Sequence, residues 1–159
     1  MSKTLSARVL QYLQTQHVAT VATSGPEGIW AAAVFFVNDG WDLYFLSSPT
    51  SRHCANLAHS AKVAVTIQAD YADWPGIKGV QMEGLVSALS GEAAQRARHL
   101  YGQKFPVVGK LAQAPAAIVR AMAKVRWYRV IPQRLLYIDN SLGFGHREEV
   151  DLSAPVAGA

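Results

Sequence analysis

Ser47-Ser48-Pro49-Thr50-Ser51-Arg52-His53 places four hydroxyls directly before an arginine and a histidine. Side chains of these types, at the start of a helix, suit an anion. Free backbone N–H groups and the positive end of the helix dipole favour negative charge there. A guanidinium adds paired hydrogen bonds that match phosphate oxygens. The same residues have a plainer use, because Ser and Thr lead among helix N-caps. Local sequence leaves both uses open, with capping the commoner.

Other chemistries lack their residues. The chain has no phosphate-binding Gly-Lys loop, no GxSxG elbow and no HExxH pair. Gly143-Phe144-Gly145 resembles the start of a dinucleotide loop, but Glu148 stands at the third glycine position and no strand–helix unit follows. The histidines (His17, His53, His59, His99, His146) show no metal-ligand spacing. The single cysteine, Cys54, excludes an internal disulfide and a CxxC clip, which suits a reducing, cytoplasmic setting. The formal charge of +4 and pI near 9.4 come from scattered residues such as Arg8, Lys62, Lys78, Lys104, Lys124 and Arg134. No dense basic run or stacking platform stands out, so nucleic acid is not an expected partner. No apolar run is long enough to span a bilayer, and the opening Met1-Ser2-Lys3-Thr4-Leu5 lacks a secretory layout. A membrane partner is not expected either.

The elements that must hold the Ser47–His53 turn follow from periodicity. Leu5, Val9, Leu10 and Leu13 recur at helical spacing and predict an amphipathic helix over Ser2–Gln16. His17–Thr23 alternates and is β-branched, a strand that stops at Ser24-Gly25-Pro26-Glu27-Gly28. Ile29–Val37 reads as a strand apolar on both faces, which predicts burial on both. Asn38-Asp39-Gly40 is a hairpin signal leading into Trp41–Leu46. A short helix over Arg52–His59 then follows, with strands at Lys62–Ile67 and Gly79–Leu89 on either side of a polar loop at Tyr71–Gly76. Ala93–Lys104 is a helix, and Pro106–Ala123 is helical in part, broken at Pro115. Val125–Ile131 and Leu135–Ile138 read as two late strands separated around Pro132.

Short strands joined by turns alone favour antiparallel pairing, since parallel neighbours need crossovers. The expectation is a mainly β protein with flanking helices: a six- to seven-stranded antiparallel split β-barrel. One domain spans residues 1–150, and an Ala-, Pro- and Gly-rich tail over 151–159 is expected to be disordered.

The motifs, taken in order, resemble the pyridoxamine 5′-phosphate oxidase-like flavin-binding split barrels, and among them the YhbP-like group. The resemblance runs from about His17 to Arg147. Its elements are Ala32–Val37 leading through a hairpin into Leu43–Ser47, then Ser51-Arg52-His53 where the family commonly has Ser-Arg-Lys. Val80-Gln81-Met82-Glu83-Gly84 is similar to a Gln-x-x-x-Gly strand. Asp139-Asn140-Ser141-Leu142-Gly143-Phe144-Gly145 resembles the closing signature of the YhbP-like group.

What the resemblance implies is FMN held at a homodimer interface by an oxidoreductase of unstated substrate. Ser47, Ser51, Arg52 and His53 fall where the family holds the flavin phosphate. Phe35, Phe36 and Val37 fall on the strand whose backbone lies along the ring. Gln81 falls where an amide bonds the ring, often from the partner subunit. No residue is assigned a catalytic role, and no metal is expected. Val37 and His53 stand where the oxidase has lysines, and its C-terminal Trp-and-Arg segment is not recognisable, so pyridoxamine phosphate oxidation is not expected. A haem-binding or haem-degrading split barrel, with His146 as axial ligand, is one alternative. A flavin-binding sensor without redox use is another.

Overall fold

The computed structural model describes residues 3–154 and residue 156. Helix α1 (Leu5–Thr15) opens on Thr4, whose hydroxyl accepts the Ala7 N–H, and buries Val9, Tyr12 and Leu13. The strands are β1 (Val18–Gly25), β2 (Gly28–Asp39), β3 (Asp42–Ser47), β4 (Lys62–Gln68), β5 (Lys78–Leu89), β6 (Arg126–Asp139) and β7 (Arg147–Glu149). Helix α2 (Arg52–Leu57) follows β3, while α3 (Gly91–Lys104), α4 (Pro106–Gly109) and α5 (Ala116–Met122) fill the excursion between β5 and β6. The order is β3-β2-β1-β4-β5-β6-β7, every pairing is antiparallel, and a further β3–β6 pairing closes six strands into a barrel. No helix among the described residues is long and apolar enough to cross a membrane.

Alternation along the strands fills the barrel. Val21, Val34, Phe36, Phe45, Val65, Ile67, Val80, Met82, Val130 and Leu135 point inward, with α1 covering one opening. A second cluster seats α3 on the outside: Ala97 and Tyr101 pack against Val37, Tyr44 and Trp127.

Two departures from the sequence reading matter for the site. Pro132 does not separate two strands. β6 runs unbroken for 14 residues because Pro132 lies at a β-bulge opposite Gly84, where the register shifts. A Cβ on Gly84 would meet the Ile131 carbonyl at 2.8 Å, so the bulge requires glycine there. β6 also divides its partners, pairing with β3 along Arg126–Val130 and with β7 along Leu136–Ile138. The second departure is β2. Its outer face is not covered within the chain: Ile29, Ala31, Ala33 and Phe35 are exposed. Beyond Glu149, Val150 is buried, and Leu152 and Val156 pack against the barrel core. The remainder of the tail expected to be disordered, residues 155 and 157–159, lies outside the described residues.

Candidate functional site

Helix α2 is seated against β1 by a buried polar contact. Asn56 Nδ2 donates to Thr23 Oγ1 at 3.1 Å, and Asn56 lies so close to Gly25 that a Cβ there would meet its Oδ1 at 2.2 Å. This fixes the start of α2, and with it the Ser47–His53 turn. Ser51 is the N-cap, accepting the Cys54 N–H at 3.4 Å, and its hydroxyl donates to the Ser48 carbonyl at 2.8 Å. Ser48 and Thr50 bond each other at 2.8 Å.

His53, buried behind the turn, brings Ser47 and Ser51 together. Its Nε2 lies 2.6 Å from Ser47 Oγ and 3.2 Å from Ser51 Oγ. Ser47 and Ser51 thus share one ring nitrogen, and which of them donates to it follows from the imidazole tautomer. Beneath lies Cys54. Burial alone would raise its thiol, but hydrogen bonding with His53, Ser51 and Tyr128 outweighs it and brings the group down to about 7. Tyr128 moves the other way, to about 12, through burial and then its bond to the thiol.

Arg52 points along the turn's flank. Its guanidinium lies 4.5 Å from the Trp30 ring centroid, and Nη2 donates to the Glu27 carbonyl at 3.1 Å. Its Nε has no hydrogen-bond partner and stands 4.0 Å from Glu27 Oε2. The Arg52 guanidinium thus keeps one N–H, buried at Nε, that no group of the chain accepts, on the same turn as the Ser47 hydroxyl.

The remaining expected residues are distributed differently. Phe36 is buried in the barrel and Val37 in the second cluster, so neither side chain is open to a ligand. Phe35, 56% exposed, faces outward and packs on Phe105 at 5.3 Å. Gln81 lies elsewhere, on the outer face between Thr66 of β4 and Leu136 of β6. It lines an open groove of about 490 Å³ whose floor is Ala22, Ala31, Ala64 and Leu136, with Glu83 and Arg134 at one margin. No residue of the Ser47–His53 turn lines that groove. Within one chain the two halves of the expected site do not meet.

The closing signature builds a feature that residue spacing did not reveal. Asn140 donates from Nδ2 to the Trp74 carbonyl, accepts the Gly145 N–H on Oδ1, and donates its backbone N–H to Ile77. Asp139, buried, accepts from Ser141 and faces Arg8 at 3.6 Å and Lys78 at 3.8 Å. Gly143 (φ 141°) and Gly145 (φ 71°) turn the chain around Phe144. The two loops are locked together with Trp74 (67% exposed) and Phe144 (82%) presented as a tilted pair 5.5 Å apart. The repeated glycines flanking an aromatic were the available signal. His146 Nε2 is buried without a hydrogen-bond partner, 3.4 Å from Glu148 Oε2.

A closed six-stranded antiparallel barrel with an extra strand and flanking helices defines a split-barrel fold. The chain belongs to the pyridoxamine 5′-phosphate oxidase family, whose description "Pyridoxamine 5'-phosphate oxidase" matches residues 5–138. A UPF0306 protein of Klebsiella pneumoniae (strain 342) is 33% identical over 89% of both chains. The UPF0306 protein YhbP of Escherichia coli (strain SMS-3-5 / SECEC) is 30% identical over 91% of both. In structure the chain is similar to a heme binding protein from Mycobacterium smegmatis, with a TM-score of 0.73 at 20% identity over 96% of this chain and 60% of that one. That likeness establishes shared fold.

Proposed function

We propose that the protein is a cytoplasmic, homodimeric FMN-binding oxidoreductase whose cofactor site is completed across the dimer interface. The observation that carries this reading is the groove beside Gln81. Its volume falls within the range of roughly 300–1,000 Å³ typical of ligand pockets, and its lining joins Ala22, Ala31 and Ala64 with the polar Gln81, Glu83 and Arg134. A flat ring fits such a lining, and an amide can both donate to and accept from a ring's polar margin. The groove includes Ala31 of the uncovered outer face of β2, where Ile29 and Phe35 also leave apolar surface for a second copy. The Arg52 guanidinium and the Ser47 hydroxyl would hold the phosphate. Bound flavin supplies the redox chemistry; these side chains bind and orient it.

Titrating the purified protein with FMN, followed by absorbance and flavin fluorescence, tests this. Saturable binding that weakens in Arg52→Ala is the expected result; absence of binding by the wild type overturns it. Reduction of the bound flavin by NADH, NADPH or a reductase separates an enzyme from a sensor.

Haem is the second reading, supported by the heme-binding protein of the same fold. His146 would have to turn away from Glu148 to ligate iron. A Soret band that is lost in His146→Ala would favour it over FMN.

A further inference from the structure

The inward face of β6 does not end in an apolar side chain. Leu135, Tyr137 and Asp139 alternate onto that face, and the last of them lies at the mouth that α1 covers. Across the β5–β6 ladder, Lys78 stands opposite Asp139 and Val80 opposite Tyr137. Helix α1 brings Arg8, Gln11, Tyr12 and Thr15 to the same place, because positions three and four apart share one helix face. Between helix and mouth lies a recess of about 250 Å³. None of its residues lines the Gln81 groove or belongs to the Ser47–His53 turn.

Several polar groups around the recess are already spent. Tyr12 Oη donates to the Lys78 carbonyl and accepts the Ala69 N–H, and Gln11 accepts from Lys3. Asp139 Oδ1 accepts from the Ser141 N–H and hydroxyl, and Arg8 Nη2 donates to Glu148 at 2.8 Å. Others are unspent. Arg8 Nη1 and Lys78 Nζ stand 3.6 and 3.8 Å from Asp139 Oδ2, both beyond hydrogen-bond length. The Tyr137 hydroxyl has no hydrogen-bond partner among the described residues, although the side chain is only 3% exposed. Burial, and then the charge of Asp139, pushes that phenol up to about 12, so it keeps its proton. A polar group this deep is ordinarily matched, by the protein or by something bound to it.

The charges of Arg8 and Lys78 are balanced by those of Asp139 and Glu148. A simple anion would be set against Asp139, and a simple cation against Arg8 and Lys78. A molecule carrying both signs meets each group with its complement. The recess has room for roughly eight waters at about 30 Å³ each, which excludes a nucleotide or a flavin. We infer that this recess binds a small α-amino acid, with Arg8, Lys78 and Tyr137 holding its carboxylate and Asp139 its ammonium.

Calorimetric titration of the full-length protein with L-alanine, lactate and ethylamine tests the proposal, since the three are close in size and differ in the charges they carry. L-Alanine should bind saturably, and lactate and ethylamine about tenfold or more weakly, each lacking one charged contact. Lys78→Gln should weaken L-alanine binding about tenfold, and Tyr137→Phe about fivefold. Tyr137→Phe should unfold at the wild-type urea midpoint, because its hydroxyl has no partner to lose; weakened binding there is then not lost structure. No saturable binding of L-alanine, the result for a recess that holds only water, overturns the proposal. Lactate binding as tightly as L-alanine overturns it too, because Asp139 would then read no ammonium. So does L-alanine binding that survives both substitutions unchanged.

Discussion

The inner and outer faces of the same strands are built from different sizes of residue. Inside, Val21, Val34, Phe36, Val65, Ile67, Val80 and Met82 fill the barrel to close packing. Outside, the same strands carry Ala22, Ala31, Ala33 and Ala64 with Phe35, Ile29 and Gln81 among them. One face is full and the other is a trough. Alternation decides which residues go to which face, but size decides what each face can do. Large branched side chains close a core, whereas a row of alanines on a pleated surface leaves room for a flat molecule.

Adjacent phenylalanines give the strongest test of that contrast. Phe36→Ala should cost about 3–5 kcal/mol in urea unfolding, because the barrel cannot close over the void. Phe35→Ala should cost under about 1 kcal/mol in dilute solution and act on self-association instead. Equal costs at both positions would break the distinction between the faces.

Arg52→Ala comes next, with a loss of about 2 kcal/mol in FMN affinity, read by flavin fluorescence. The low end of the range for a truncated ion pair applies because the Arg52 side chain remains about a third exposed. Filling the trough with Ala64→Leu should weaken FMN binding by about 1–3 kcal/mol, as overpacking does. Its stability should change by less than about 0.5 kcal/mol, since the side chain faces outward. Unchanged affinity in Ala64→Leu would remove the ring from this groove.

A pH-dependent effect concerns Lys104, whose ammonium rests over Phe36. Burial lowers the group from 10.5 to about 8. The folded value lies below the unfolded one, so folding penalises the charged form. That penalty is full below pH 8 and disappears as pH rises through 10.5, so this group's contribution to stability improves across that window. The carbonyls of Leu13 and Gln16 and the Phe36 ring favour the ammonium and so oppose the effect of burial. A lysine NMR titration in which one amine loses its proton near pH 8 would sharpen the assignment; uniform titration near 10.5 would remove it.

Much of the fold was legible because local signals agreed. The helical spacing of Leu5 to Leu13, the Asp39-Gly40 turn and the break before Arg52 all correspond to real boundaries. Pro132 misled because the residue that accommodates it, Gly84, is 48 positions away in sequence and opposite it in the sheet. β2 misled for a related reason. An apolar strand predicts a cover on both faces, and nothing in the strand says whether the cover comes from its own chain.

The sequence by itself determined the antiparallel pairing, the placement of a hydroxyl-rich turn at the start of α2, and the family. Those depend on periodicity, turn chemistry and motif order, which are local or ordered along the chain. Only the tertiary structure decided how the turn's groups are used. Ser51 caps the helix while His53 ties it to Ser47, and Arg52 keeps one N–H unpartnered above Trp30. It also placed Gln81 on a separate outer groove, apart from the turn the sequence grouped with it. A hydrogen bond is settled by the nearest available partner in space, and barrel closure, not spacing along the chain, sets which partners are near.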